Sequence, residues 1–187
     1  VWFPLLDAMV EATVRGCAAC QVVGPPDPPA PVITESIPPY PWHRASADFG
    51  SLPDGRQMLV VIDDYSKYPE VEIVTSTNAG ESITKMEKIM ANQGLIRELR
   101  TDNGPPFNSQ EWEEYLKSKN TKHRRITPRW PQANGEVERF MRTLLKVVRI
   151  AQASEQSIER AIYSFLADYR LTTHSTTGVA PSGLCLG

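Results

Sequence analysis

The chain has 187 residues, with 20 Lys or Arg against 22 Asp or Glu and 41 % apolar content, which suits one domain with a sizeable core and a small additional piece. It holds no unbroken apolar run long enough for a membrane span and no charged-then-apolar leader, and its three cysteines are too few for a secreted disulfide framework. We therefore expect a protein of a reducing intracellular space with no membrane partner. A formal net charge of -2 argues against a nucleic-acid partner, but its distribution reverses that: Lys117 to Arg149 contains ten Lys or Arg and two acids, Glu136 and Glu138.

In chain order, Leu6, Met9, Val10 and Val14 predict a helix that ends at Gly16, before Cys17-Ala18-Ala19-Cys20. Two cysteines supply half of the ligands that tetrahedral zinc needs, and by themselves they read as reduced, partly buried thiols. His43 is a poor substitute ligand, because it lies beyond the prolines in a different block. Residues Pro25 to Pro41 contain eight of the sixteen prolines. Such density removes backbone donors and favours an extended linker.

Ala45 to Phe49 reads as a strand, Pro53-Asp54-Gly55 as a turn, and Met58 to Ile62 as a strand buried on both faces. With Val71 to Val74 these form an antiparallel meander. Ser82 to Met90 predicts a helix with Ile83, Met86, Ile89 and Met90 inward, and Ile96 to Arg100 a strand that delivers Asp102 at its C-terminal end, where open α/β sheets place chemistry. A short helix over Glu111 to Lys119 and a strand over Thr121 to Thr127 follow. Pro128 to Gly135 is a loop that offers Gln132 and Asn134. The next helix places Val137, Met141, Leu144, Leu145 and Val148 on one face and Glu138, Arg142, Lys146 and Arg149 on the neighbouring stripe. A last helix, Ser157 to Tyr169, carries Ile158, Ile162, Phe165, Leu166 and Tyr169 at core spacing.

Several carboxylates in this order could do chemistry, and each has a plainer reading. Asp102-Asn103-Gly104 is also a good turn. Asp48-Phe49-Gly50 resembles the magnesium-binding triplet of kinases, but no Gly-rich phosphate loop or catalytic-loop Asp accompanies it. Asp63 and Asp64 follow a core strand and compete with Asp48. Three carboxylates from distant parts of one domain can hold two divalent cations that clamp the oxygens of a phosphodiester. Magnesium favours such oxygen ligands over imidazole or thiolate.

Three blocks carry a family resemblance. They are Pro41-Trp42-His43-Arg44 leading to Asp48-Phe49-Gly50, then Thr101-Asp102-Asn103-Gly104, and Asn134-Gly135-x-x-Glu138-Arg139-Phe140, with 35 residues between Asp102 and Glu138. From Pro41 to Gly187 the chain resembles the catalytic core of retroviral and gypsy-type retrotransposon integrases. The resemblance implies an RNase H-like α/β fold, a mixed five-stranded sheet flanked by helices. It selects Asp48, Asp102 and Glu138 as the catalytic ligands of Mg²⁺ or Mn²⁺. With Glu138 a ligand, the all-cationic remainder of its stripe, Arg142, Lys146 and Arg149, reads as a phosphate-contacting row rather than a solvated flank, while Gln132 and Asn134 are either contacts to the DNA end or a lead-in to the helix with no contact.

It also divides the chain into residues 1–22, a remnant of the family's N-terminal zinc-binding module, a proline-rich linker at 23–41, and the core at 42–187. Cys17 and Cys20 would bind zinc there only with the family's two histidines, which this sequence does not contain. Trp130 stands where many members carry histidine, and no C-terminal DNA-binding module follows Gly187. The expected reaction of this stretch by itself is accordingly the reversal reaction on branched DNA. The implied partners are retroelement DNA ends, target DNA and further copies of the chain, in the nucleus. The alternatives are a domesticated, non-catalytic module of the same fold that binds nucleic acid or assembles with other proteins, and a simple RNase H nuclease.

Overall fold

The computed structural model describes residues 3–17, 36–126 and 135–187. The chain divides into two compact units, Val1–Glu35 and Ser36–Gly187. In the first unit α1 (Leu6–Gly16) carries Asp7 in its first turn and Arg15 in its last, the polarity a helix dipole favours. Arg15 pairs with Glu11 at 2.6 Å, and no residue of α1 is buried. The half-buried Cys17 closes α1 through its amide, which donates to the Val14 carbonyl. Cys20 and the prolines as far as Pro31 lie outside the described residues.

The second unit is built on five strands: β1 (Arg44–Ser51), β2 (Gln57–Asp63), β3 (Pro69–Val74), β4 (Glu98–Thr101) and β5 (Lys122–Arg125). Their spatial order is β3-β2-β1-β4-β5. The first three form an antiparallel meander, and β4 and β5 join it in parallel, so the sheet is mixed. The helices are α2 (Ala79–Gln93), α3 (Gln110–Ser118), α4 (Gly135–Ala153), α5 (Ile158–Leu171) and α6 (Pro181–Cys185).

Side chains alternate across a strand, and the two faces of the sheet take different cores. Ala45, Ala47, Leu59 and Val61 pack with Met86, Ile89 and Met90 of α2 and with Trp112, Tyr115 and Leu116 of α3. Met58, Val60 and Ile62 pack on the other side with Val137, Phe140, Met141, Leu144 and Val148 of α4 and with Ile162 and Leu166 of α5. Covering on both sides is why β2 reads as one apolar run. Local signals set the helix starts: the side chains of Asn78, Ser109 and Ser157 accept from the amides of Glu81, Trp112 and Arg160. The five-residue α6 is too short to show a helical period; it has Pro at its start, and its Cys185 Sγ accepts from Trp42 Nε1 at 3.3 Å.

Candidate catalytic site

Asp48 and Asp102 meet through strand register. The last parallel ladder pair between β1 and β4 is Ser46 with Arg100. Asp48 and Asp102 each stand two residues further along, on the same face by alternation, where neighbouring strands run about 4.8 Å apart. Glu138 joins them through α4. Gly50, two residues beyond Asp48, has no side chain, and a Cβ there would come within 2.5 Å of Met141 Sδ and 2.8 Å of Met58 Cε. That close approach lays α4 on β1, with Glu138 one turn before Met141 on the side of Asp48.

The electrostatics agree with this convergence. The Asp48 carboxyl is pushed up from 3.8 to about 6, first by burial and then by the negative charges of Asp102 and Glu138, against the lowering effect of the Phe49 amide. That amide donates to Asp48 Oδ1 at 2.8 Å. Asp102 Oδ1 accepts from the Gly104 amide at 3.1 Å, so Asp102 both shapes its turn and keeps an exposed carboxylate. Among the described residues, none of the three carboxylates forms an ion pair.

The rival carboxylates are occupied. Asp63 is fully buried and accepts from the Trp42 amide and from the amide and hydroxyl of Ser66. Asp64 pairs with Arg44 at 2.7 Å, accepts from Ser46 Oγ at 2.9 Å and faces Arg100 at 3.7 Å. Both are structural, which resolves an ambiguity that spacing alone leaves open.

On α4, Arg139, Arg142, Lys146 and Arg149 are exposed and form no ion pair among the described residues. Elsewhere in the described chain every Lys and Arg except Arg97 and Arg160 has an acidic partner. The i,i+4 pair between Glu138 and Arg142 is not formed, so the stripe is not a self-neutralised flank. Gln132, Asn134 and Trp130 lie outside the described residues. Sequence reasoning overlooks Lys67, whose Nζ donates to Glu136 Oε2 at 2.6 Å and to the Asp64 carbonyl at 2.7 Å. No pattern in the sequence signals this pair, whose members lie 69 residues apart.

Residues 39–131 match the family described as integrase core domain. The chain is 27 % identical over 181 residues to the transposon Tf2-3 polyprotein of Schizosaccharomyces pombe, covering 92 % of this chain. It carries a retroelement integrase core domain. An uncharacterized protein of Caenorhabditis elegans is 29 % identical over 180 residues, 96 % of the chain. The integrase core and its flanks span 14 % of the length of either relative.

Solved structures agree on the fold. The simian T-cell lymphotropic virus intasome matches with a TM-score of 0.80 at 19 % identity, over 96 % of this chain and 66 % of that one. The HTLV-2 integrase catalytic core domain in complex with magnesium matches with a TM-score of 0.65 at 21 % identity, over 78 % and 97 % of the two chains. The integrase core thus has the RNase H-like architecture. None of the helices described is long and apolar enough to cross a membrane.

The donor set of the integrase core fits a hard divalent cation in kind: three carboxylates, two of them exposed, none of which has an ion pair with a Lys or Arg among the described residues. Among the described residues no three His, Cys, Asp or Glu side chains are grouped closely enough to hold a metal ion. The backbone brings the three carboxylates to one margin of the sheet without drawing their oxygens into a closed cage.

Proposed function

We propose that this integrase core cuts and joins phosphodiesters, processing retroelement DNA ends and joining them to target DNA with Asp48, Asp102 and Glu138 as ligands of Mg²⁺ or Mn²⁺. The observation that carries the reading is the raised Asp48 carboxyl, held by burial beside two further carboxylates while Asp63 and Asp64 are taken up in the scaffold. A domain that only bound nucleic acid or assembled with partners would have no use for unrelieved negative charge where phosphate must sit. Divalent cations held there supply charge neutralisation at the scissile phosphate and activation of the attacking oxygen.

The residues of the chain divide the remaining work. Asp48, its carboxyl raised only to about 6 and so ionised at neutral pH, would supply a ligand from β1. Asp102, fixed by its own turn, presents an exposed carboxylate from the end of β4, and Glu138 approaches from the first turns of α4. Arg142, Lys146 and Arg149, which have no ion pair among the described residues, take DNA phosphates, which orient the duplex without reading its bases. The oligomers named for the structural neighbours, an intasome and a trimeric form, support a working state of several copies. Action on target DNA places the protein in the nucleus.

The test is a strand-joining and reversal assay in Mg²⁺ or Mn²⁺ with the wild-type chain and Asp102→Asn. We expect divalent-dependent product from wild type and at least a 100-fold loss in the variant, with an unchanged circular dichroism spectrum. Activity that survives in Asp102→Asn would remove the triad from the mechanism.

A further inference from the structure

We propose that Lys67 is a positioning residue for the metal site, one that fixes the first turn of α4 and takes up the charge of Glu136 so that Glu138 alone of the two glutamates faces Asp48 and Asp102. This rests on the metal-binding reading above.

The argument starts from Glu136-Val137-Glu138. Both glutamates lie in the first turn of α4, where the helix dipole favours acids equally. Val137 between them is fully buried, and it directs the flanking side chains to either side of the contact line. The structure separates their roles. Glu136 Oε2 accepts from Lys67 Nζ at 2.6 Å, whereas Glu138 is exposed and has no ion pair among the described residues.

Lys67 is built to hold this place. It sits in the turn between β2 and β3 with φ at 67°, a left-handed conformation uncommon for a lysine. Its amide donates to the Asp63 carbonyl at 2.9 Å, and its ammonium group donates to the Asp64 carbonyl as well as to Glu136. The side chain is only 13 % exposed, so the ammonium is withdrawn from water and held between the Asp64 carbonyl and the Glu136 carboxylate. The turn beneath it is braced by Asp63 and Ser66, which makes Lys67 part of the sheet rather than a surface tether.

Two other contacts hold the start of α4: Met141 against Gly50, and Phe140 edge-on to Tyr169 of α5 at 5.0 Å. Both are apolar and lie beyond Glu138. Before it stand the buried Val137, packed in the core, and the Lys67 to Glu136 pair, the polar fixing point on the side where the chain enters the helix. Without Lys67 the first turn would lose that anchor, and the charge of Glu136 would stand unneutralised two residues before Glu138.

The experiment compares the wild-type chain with Lys67→Met, Lys67→Arg and the exchange pair Lys67→Glu with Glu136→Lys. Two readouts besides catalysis are taken: Mn²⁺ affinity by calorimetry, and amide hydrogen exchange without metal across residues 136–141 and 144–151. We expect Lys67→Met to weaken Mn²⁺ binding at least 5-fold and to speed exchange at 136–141 by tenfold or more, with 144–151 still protected. Lys67→Arg should retain most of the affinity, and the exchange pair should recover part of it. Unchanged exchange in Lys67→Met overturns the proposal, as does faster exchange with unaltered Mn²⁺ affinity, which would make Lys67 a structural anchor only. A wild-type chain that binds no Mn²⁺ overturns the metal reading itself, a result distinct from normal binding that Lys67→Met leaves intact.

Discussion

Asp48 shows what the site costs the fold. Its carboxyl is raised from 3.8 to about 6, so between those values the folded chain holds a proton that the unfolded chain has released. Stability from this group is full below about pH 4, falls as pH rises through 6, and stays lost above it. Asp48→Asn keeps the shape and removes the charge. We expect it to be more stable than wild type at pH 7.5 by about 1–2 kcal/mol after allowance for partial solvent contact, roughly 2–6 °C in melting temperature. The difference should vanish at pH 4, where both side chains are neutral. Adding Mg²⁺ should raise the melting temperature of wild type and leave Asp48→Asn unmoved. A variant less stable than wild type at pH 7.5 would show that burial beside Asp102 and Glu138 does not raise this carboxyl.

At the level of elements, α4 does two jobs with two faces. Val137, Phe140, Met141, Leu144 and Val148 seat it on the sheet, while Arg142, Lys146 and Arg149 stay exposed and without an ion pair among the described residues. If those cations meet phosphates, each should contribute about 0.9 to the slope of log affinity against log salt on duplex DNA. Lys146→Ala should therefore flatten the slope by about that amount and weaken binding similarly for unrelated sequences. An unaltered slope, measured by fluorescence anisotropy across a salt series, would remove α4 from the DNA interface.

The two faces of α4 are legible in the amino-acid sequence, because a 19-residue helix on a sheet has to show its period. The unbroken apolar run of β2 and the placement of Asp102 at the end of β4 are legible for the same kind of reason. Elements without a periodic signal are not. The β5 strand, Lys122–Arg125, is an edge strand of basic residues shorter than the stretch from Thr121 to Thr127 that the sequence suggests, and α6 has only five residues. The choice of Asp48 over Asp63 and Asp64 depends on resemblance, since hydrogen-bond saturation cannot be seen in spacing. Lys67 and Glu136 are 69 residues apart, and no local pattern joins them.

At the scale of the whole molecule, stability should reside in the second unit. Both hydrophobic clusters are drawn from residue 42 onward, and every strand of the sheet begins at Arg44 or later. The first helix has no buried residue, so it contributes little apolar burial to any core. Arg44 donates to the Ser36 carbonyl at 3.0 Å, a contact within the second unit. A chain that begins at Ser36 keeps all of these interactions. We expect it to unfold in one cooperative transition, as single domains of this size do, with a melting temperature within about 2 °C of the full chain, since both hydrophobic clusters and every strand remain. It should also keep the Mn²⁺ affinity of the full chain, because Asp48, Asp102, Glu138 and Lys67 all remain. Differential scanning calorimetry of the two chains decides the matter: a drop of more than about 5 °C, or a second transition, would show that residues 1–35 are needed to complete the core.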